Sequence, residues 1–201
     1  MADHYYSKTP TTNHDRHSIE ANIRGIKLRL TTDAGVFSKS GVDYGSRVLL
    51  ENVEISLHAA VLDVGCGYGP IGLTLAKLVP SAHVTMIDVN ERAVQLAQEN
   101  ARVNGVSNVA ILQSDIYENV RNQKFDAIVT NPPIRAGKAV VHRILEEGAA
   151  LLKPGGSIWV VIQKKQGAPS AEAKLEEVFG NVEEVTKDKG YRILRAVLEE
   201  K

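Results

Sequence analysis

The chain has 201 residues, and its 24 Lys and Arg side chains balance its 24 Asp and Glu side chains. This balance excludes a general basic field that binds nucleic acid indiscriminately, so any nucleic-acid contact must be local. The apolar fraction of 43% is ordinary for a globular protein, and no run reaches the roughly eighteen apolar residues that a membrane span requires.

The region before residue 59 is predicted to hold one strand and one helix. Residues 1–20 are polar, show no clear period and are expected to form a loose arm, and a single domain is expected over residues 21–201. The alternating sequence IKLRL at 26–30 predicts a half-buried strand. A helix is expected from about Tyr44 to His58.

From residue 59 onward, strands alternate with helices. The predicted segments are, in order, the strand AAVLDV, the helix PIGLTLAKLV, the strand AHVTMID, the helix ERAVQLAQENARVNG, the strands NVAILQSD and FDAIVT, the helix AVVHRILEEGAALLKPGG and the strand SIWVVIQ. This alternation is typical of a parallel sheet with helices on both faces. The sequence therefore predicts an α/β fold.

The C-terminal tail departs from this alternation. The segment AEAKLEEVFG predicts a helix with Ser170 as its N-cap. The following VEEVTKDKGYRILRAVLEE predicts two strands joined around Lys189 and Gly190. Such a hairpin adds one antiparallel strand to an otherwise parallel sheet.

A glycine loop follows the first strand of the alternating series. Gly65, Gly67 and Gly69 lie between this strand and the next helix, where glycine permits tight turns and close approach of the backbone to a ligand. A dinucleotide motif, G-x-G-x-x-G, also fits residues 67–72, so a dehydrogenase is the formal rival. However, the strand stops before Gly65, and Asp63 suits the ammonium of an amino acid better than a pyrophosphate. S-adenosylmethionine has that ammonium and a ribose.

Three carboxylates follow or end consecutive predicted strands. They are Asp63, Asp88 and Asp115, and ligands of open parallel sheets bind at this edge. Asp88, about twenty residues after the loop, is placed to accept hydrogen bonds from the two ribose hydroxyls of a nucleoside. Asp115 is expected to accept from the adenine amine, with Val89 and Ile116 as apolar walls for the ring.

The sequence Asn131-Pro132-Pro133 ends the strand FDAIVT at the same edge. The Asn131 side-chain oxygen and the Pro132 carbonyl offer two acceptors that hold both N–H bonds of a planar amine. Pro133 restricts the residue before it, which fixes the direction of that carbonyl. We interpret the turn as the catalytic clamp of an amino methyltransferase, with a plain rigid turn as the alternative.

Several segments together resemble the class I S-adenosylmethionine-dependent methyltransferases. They are VLDVGCGYGPIGL, MIDVN, QSDIY and TNPPIRAGK. The segment GVFSKSGVDYGSRVLL further resembles the small-subunit ribosomal RNA guanine-N2 methyltransferases. The resemblance implies a Rossmann-like seven-stranded sheet in the order 3-2-1-4-5-7-6, with strand 7 antiparallel, helices on both faces and an N-terminal β extension. It also implies the cofactor roles given above and a flap over the cofactor that contains Phe37.

The chain departs from the family pattern directly after the clamp. Ile134 stands where the family has an aromatic residue that stacks on an extruded base. Arg135 and Lys138 flank the clamp, and Lys164 and Lys165 follow the next strand at the same edge. These cations are candidates for contacts with RNA phosphates, although a solvated basic edge is the alternative.

The expected function is methyl transfer from S-adenosylmethionine to an exocyclic amine, with guanine N2 of small-subunit (16S) ribosomal RNA as the first candidate. Adenine N6 or protein glutamine as acceptor, and a non-catalytic module in ribosome assembly, remain open. The expected partner is ribosomal RNA or the small ribosomal subunit, with no membrane and no metal, and a homodimer is left open. The single cysteine, Cys66, excludes internal disulfides, and a reducing, cytoplasmic location is expected.

Overall fold

The structure is a computed structural model that describes residues 6–36 and 41–200. Within these residues the chain forms nine strands and five α-helices. The strands are β1 (His17–Ile23), β2 (Ile26–Thr32), β3 (Ala60–Val64), β4 (His83–Asp88), β5 (Val109–Gln113), β6 (Phe125–Thr130), β7 (Leu152–Gln163), β8 (Glu183–Asp188) and β9 (Tyr191–Val197). The helices are α1 (Tyr44–Asn52), α2 (Pro70–Leu78), α3 (Glu91–Val103), α4 (Lys138–Gly148) and α5 (Ala168–Phe179).

Seven of these strands form one sheet in the order β5-β4-β3-β6-β7-β9-β8. The strands β3 to β7 pair in parallel, whereas β9 is antiparallel to both β7 and β8. Counted from β3, this is the order 3-2-1-4-5-7-6 with an antiparallel seventh strand, so the predicted Rossmann-like fold is confirmed.

Helices cover both faces of the sheet because successive strand residues point to opposite sides. In β3, Val61 packs into the hydrophobic cluster formed with α1, α2 and α3, and Leu62 packs into the cluster formed with α4 and α5. No α-helix among residues 6–36 and 41–200 combines the length and apolarity needed to cross a membrane.

The N-terminal region is more ordered than the sequence predicts. β1 and β2 form a separate antiparallel hairpin, and β1 begins at His17, so the boundary of the predicted arm at residue 20 is wrong. The preceding segment is bound to α3. The Arg92 guanidinium donates hydrogen bonds of 2.8 Å to the carbonyls of Thr12 and Ala34, and the Glu91 amide donates one of 2.9 Å to the Lys8 carbonyl.

Three element boundaries also differ from the prediction. Helix α1 ends at Asn52, where the Arg24 side chain binds the final carbonyls of the helix. Gly167, and not Ser170, is the N-cap of α5, because its left-handed backbone turns the chain into the helix one residue before Ala168. Strand β7 begins at Leu152, because a register shift against β6 accommodates Pro154–Gly156 inside the strand.

Candidate functional site

A cavity of about 320 Å³ opens at the carboxyl ends of the parallel strands. Its walls come from the glycine loop after β3, from residues 88–90 after β4, from Ser114 and Ile116 after β5, and from residues 131–135 after β6. The ends of β3 and β6 are held together because the Thr130 hydroxyl donates a buried 2.9 Å hydrogen bond to the Val64 carbonyl. The topology thus brings the predicted cofactor loop and the predicted clamp to one cavity.

The glycine loop presents its backbone to this cavity. Gly65 and Gly67 have φ angles of 72° and 57°, in the left-handed region that glycine adopts without strain. A Cβ atom built on either residue would meet nothing within 4 Å, so the space in front of the loop belongs to the cavity. Gly69 has another role. It is the N-cap of α2 and does not line the cavity, and a Cβ there would lie 2.9 Å from the Leu73 side chain.

Asp88 lies at the end of β4 and lines the cavity beside the loop. Its carboxylate accepts hydrogen bonds of 2.8 Å from the backbone amides of Gly67 and Asn90. Burial raises the pKa of Asp88 to about 6, and these backbone hydrogen bonds limit the rise. The group is therefore mainly ionised at neutral pH and accepts hydrogen bonds from hydroxyl groups, as predicted for the ribose ligand.

Asp63 does not reach the cavity. Its side chain is fully buried against α2, where its Oδ2 atom accepts a 2.9 Å hydrogen bond from the Gly72 amide. Within the described residues its Oδ1 atom has no hydrogen-bond partner, and burial raises the pKa of Asp63 to about 7. The predicted direct contact with the cofactor ammonium does not fit this geometry, because the strand pleat directs Asp63 toward the helix.

The three residues predicted to surround adenine follow two strands, with Val89 after β4 and Asp115 and Ile116 after β5, and they do not all reach the cavity. Val89 and Ile116 line the cavity, as predicted for walls around adenine. Asp115 lies at the surface, with 43% of its side chain exposed and its carboxylate 4.0 Å from the Lys8 ammonium. Ile116 has a φ of 52°, which is unusual for a β-branched residue, and the Ser114 hydroxyl holds this turn by donating a 2.8 Å hydrogen bond to the Ile116 carbonyl.

The orientation of Asn131 is fixed by two residues that the sequence prediction missed. Its amide nitrogen donates a 2.8 Å hydrogen bond to Asp43 and a 3.0 Å hydrogen bond to the hydroxyl oxygen of Ser46. The carboxylate oxygen of Asp43 is an acceptor in this pair, so the nitrogen of the amide, and not its oxygen, faces Asp43. The Asn131 oxygen is consequently directed away from α1, and Asn131 lines the cavity.

The two prolines after Asn131 are buried and line the cavity. The Pro133 carbonyl accepts a 3.0 Å hydrogen bond from the Ala136 amide in the short 3₁₀ turn that follows. No donor among the described residues reaches the Pro132 carbonyl, so this acceptor is available, as the clamp interpretation requires.

The predicted substrate-binding residues are divided between two places. Ile134 and Arg135 line the main cavity. Lys138 lines an adjacent smaller groove together with His142 and Ser170. Phe37, predicted in the flap, lies outside the described residues.

Sequence reasoning also missed several polar and aromatic residues of the cavity wall. They are Tyr6, Asp43, Ser46, Tyr68, Asn90, Gln166 and Tyr191. Asp43 and Ser46 occur in the quoted segment VDYGS, where an Asp before a helix is read as an N-cap. It is one, because Asp43 also accepts a 3.2 Å hydrogen bond from the Ser46 amide. Only the folded chain shows its second partner, Asn131.

These residues fit S-adenosylmethionine. The half-buried Asp88 carboxylate is available for ribose hydroxyls, apolar side chains border the space for an adenine ring, and two glycines leave room in front of the loop. The fold, this loop and the Asn-Pro-Pro turn at the same edge are those of the S-adenosylmethionine-dependent methyltransferases. A family model described as the methyltransferase small domain matches residues 27–195, and the chain belongs to this family.

Curated relatives extend the comparison. An uncharacterized protein of Bacillus subtilis (strain 168), YbxB, is 52% identical over 198 residues, which are 98% of each chain. The ribosomal RNA large subunit methyltransferase G of Streptomyces avermitilis is 32% identical over 84% of this chain and 45% of its own length. The ribosomal RNA small subunit methyltransferase C of Escherichia coli (strain ATCC 8739) is 28% identical over 95% of this chain and 55% of its own length.

A solved structure matches in sequence and in fold. It is the 16S rRNA N2 G1207 methyltransferase RsmC of T. thermophilus, in complex with AdoMet (S-adenosylmethionine) and guanosine, with a TM-score of 0.83 and 31% identity. The match covers 94% of this chain and 52% of that one. The chain thus spans about half the length of the ribosomal RNA methyltransferases that it matches.

Proposed function

We propose that this protein transfers a methyl group from S-adenosylmethionine to the exocyclic amine of a nucleobase, with guanine N2 of small-subunit ribosomal RNA as the acceptor. One observation carries this proposal. The Asn131 amide is locked by Asp43 and Ser46 so that its oxygen is available beside the loop and Asp88.

Methyl transfer to such an amine requires hydrogen-bond acceptors in the protein. The lone pair of an aromatic amine is delocalised into the ring, so the amine is a weak nucleophile while it stays planar. Asn131 and Pro132 offer one oxygen each to its two N–H bonds, which holds the nitrogen toward a tetrahedral geometry. S-adenosylmethionine supplies, when bound, an electrophilic methyl group on a sulfonium. The protein then contributes positioning and electrostatic stabilisation, without an ionised base, and the methylated nitrogen releases its extra proton to solvent.

The binding of the cofactor is assigned to the same residues. Gly65 and Gly67 leave space for it, Asp88 accepts from the ribose hydroxyls, and Val89 and Ile116 enclose the adenine. Asp63 supports the site indirectly by holding the start of α2 at Gly72.

The choice of guanine rests on similarity. The T. thermophilus relative is a guanine-N2 methyltransferase of 16S ribosomal RNA, and its solved complex contains guanosine. Adenine N6, protein glutamine and a non-catalytic role in ribosome assembly are the alternatives. A ribosomal acceptor places the reaction in the cytoplasm, and the exposed side chains of Arg135, Lys138, Lys164 and Lys165 are the proposed phosphate contacts.

The test is transfer of labelled methyl groups to small ribosomal subunits from cells that lack the protein, followed by nucleoside analysis. The expected product is N2-methylguanosine, and N6-methyladenosine or labelled protein would replace the guanine assignment. Asn131→Ala is expected to lower transfer about 10²- to 10³-fold. Calorimetry with S-adenosylhomocysteine should show retained affinity, and Asn22→Ala, at an exposed Asn in β1, is the control. Normal transfer by Asn131→Ala would refute the clamp.

A further inference from the structure

The acceptor side of the cavity has an aromatic wall, although Ile134 follows the clamp. Among the described residues of the cavity wall, the aromatic side chains are Tyr6, Tyr68 and Tyr191. Tyr6 lies near the carboxylates of Asp115 and Asp88, on the cofactor side of the cavity, where burial and these charges raise its pKa. Tyr68 is 2% exposed and its hydroxyl donates to the Gly41 carbonyl at 3.3 Å, so it is part of the core. Tyr191 is half-buried, and of these three tyrosines it is the one that can contact the acceptor.

The Tyr191 ring lies next to the group that orients Asn131. A Cβ atom built on Gly45 would lie 2.7 Å from Tyr191 Cε1 and 3.0 Å from Asp43 Oδ2, so the ring and this carboxylate border the same point. Asp43 in turn accepts the 2.8 Å hydrogen bond from Asn131. The ring is therefore separated from the clamp by one carboxylate.

The presence of glycine at position 45 indicates that the chain reserves space for the Tyr191 ring. It lies in the first turn of α1 and is not among the glycines with positive φ, so its backbone does not require glycine. Alanine is the better helix former. The space that a methyl group would fill is occupied by the Tyr191 ring, which gives a packing reason for glycine at this position.

Sheet topology places Tyr191 and Asn131 at the same edge. Asn131 follows β6, and Tyr191 is the first residue of the antiparallel β9, paired with Gln163 at the end of β7. Only β7 lies between them, so their lateral separation is roughly 10 Å from two strand spacings, and the register adds about two residues along the strands. The Tyr191 ring packs against the Tyr44 ring, with centroids 5.6 Å apart and an interplanar angle of 54°.

We propose that Tyr191 is the stacking surface of the acceptor subsite, and that the acceptor is a planar nucleobase packed between Tyr191 and Ile134. This inference rests on the proposed function and deepens it. A base presents a flat face that stacks on an aromatic ring, whereas the side chain of a protein glutamine does not. Tyr191 thus supplies from β9 the aromatic surface that position 134 lacks.

Three substitutions of Tyr191 distinguish stacking on its aromatic ring from simple filling of space by its side chain. Tyr191→Phe keeps the ring and is expected to reduce kcat/KM for small subunits less than about threefold. Tyr191→Leu and Tyr191→Ala remove the plane and are expected to reduce it about 10- to 100-fold. The affinity for S-adenosylhomocysteine and the midpoint of thermal unfolding identify any variant that is merely misfolded. Asn22→Ala, at an exposed residue of β1 outside the cavity, is the control with wild-type activity.

Restoration of an aromatic residue at the family position provides a second test. Ile134→Phe in the Tyr191→Ala background is expected to recover at least part of the lost kcat/KM. If Tyr191→Leu performs as well as Tyr191→Phe, or if Tyr191→Ala matches the wild type, the stacking role is refuted.

A binding measurement keeps this inference separate from the proposed function. Tyr191→Trp places a fluorophore in the wall, and guanosine is expected to quench it in the presence of S-adenosylhomocysteine, whereas a glutamine-containing peptide is not. Failure of the wild type to methylate any subunit would refute the proposed function and leave the quenching result intact. Absence of quenching by guanosine would refute the nucleobase subsite.

Discussion

The Asp43 carboxylate accepts a 2.8 Å hydrogen bond from the side-chain nitrogen of Asn131, a residue 88 positions further along the chain. The same carboxylate oxygen accepts from the Ser46 amide and so caps α1. One oxygen atom therefore links the start of a helix to the orientation of the proposed catalytic amide. This link explains how a side chain on a turn is held with the precision that transfer to an amine requires.

Replacement of Asp43 by Ala is expected to release the Asn131 amide. The Ser46 hydroxyl then remains as the partner, and because a hydroxyl bonds either end of an amide, the amide can rotate and present nitrogen to the acceptor. The kcat should fall about 10- to 100-fold, by analogy with the loss of one oriented donor or acceptor. Loss of the cap should also cost about 1 kcal/mol of the free energy of unfolding. Steady-state kinetics and urea unfolding measure the two effects separately.

Asp43→Asn is the matched control for this effect. Asn caps helices as well as Asp does, and its side-chain oxygen accepts a hydrogen bond from Asn131, so most activity and stability should remain. If Asp43→Ala loses stability but keeps kcat, Asp43 is only a helix cap.

The affinity for the cofactor is expected to depend on pH through Asp88. Burial raises the pKa of this acid to about 6, so it is ionised above that pH and accepts hydrogen bonds from hydroxyls. As the pH falls through about 6, protonation replaces an acceptor by a donor. The Kd for S-adenosylhomocysteine should then rise, by up to about tenfold for each pH unit below the pKa. Calorimetry between pH 5 and 8 measures this dependence.

Two substitutions test whether the pH dependence of the cofactor affinity comes from Asp88. Asp88→Asn should bind weakly at every pH and show a flat profile. Asp115→Asn should bind nearly as well as the wild type, because Asp115 lies outside the cavity and 4.0 Å from Lys8. A loss above about tenfold in Asp115→Asn would favour the adenine contact that the sequence predicted.

Asp63 is expected to make the protein less stable as the pH rises. Burial raises its folded-state pKa from 3.8 to about 7, so between these values the folded state binds a proton that the unfolded chain has released. The free energy of unfolding therefore falls as the pH increases across this window, by on the order of 4 kcal/mol from this group. Urea unfolding from pH 4 to 8 tests the slope.

Asp63→Asn removes the ionisable group while keeping an oxygen that accepts from Gly72. The variant should have a shallower slope and exceed the wild type in stability at pH 8. Glu20→Gln, at a side chain that is 81% exposed, should leave the slope unchanged. An unchanged slope in Asp63→Asn would mean that Asp63 is ionised throughout.

The strands, and the edge of the sheet at which they end, were predictable because their signals are local, whereas the order of the strands within the sheet came from the resemblance to a family. Buried strands appear as continuous apolar runs, and glycine loops and the Asn-Pro-Pro turn mark where they end, so the edge that carries Asp88 and Asn131 follows from topology rules alone. The direction of individual side chains was less accessible. Because successive side chains of a strand point to opposite faces, a shift of one residue moves a side chain from the cavity into the core. Asp63, which the sequence places beside the loop, points into the core.

Contacts between distant segments were not predictable from one sequence. The role of Asp43 as an N-cap is enough to explain an Asp at this position, so the sequence gives no sign of its hydrogen bond with Asn131. In the sequence, Tyr191 is typical of a β-strand, and Gly45 is an unfavourable residue for a helix. Only the folded chain shows that the glycine and the tyrosine share one space.

Gly45→Ala is expected to destabilise the protein although alanine favours helices. The added methyl group would lie 2.7 Å from Tyr191 Cε1, closer than Cβ contacts in folded proteins, so the ring must move. Overpacking of this kind typically costs about 1–3 kcal/mol, which exceeds the gain of roughly 1 kcal/mol in helix propensity. A displaced ring should also raise KM for the ribosomal subunit, because the proposed stacking surface moves with it.

The double variant Gly45→Ala/Tyr191→Ala tests whether the two effects share one cause. With the ring removed, the methyl group has space, and the propensity of alanine should make the double variant at least as stable as Tyr191→Ala alone. A double-mutant cycle on the free energy of unfolding should therefore give a coupling of about 1–3 kcal/mol. Additive losses would show that Gly45 is required by the helix itself and not by Tyr191.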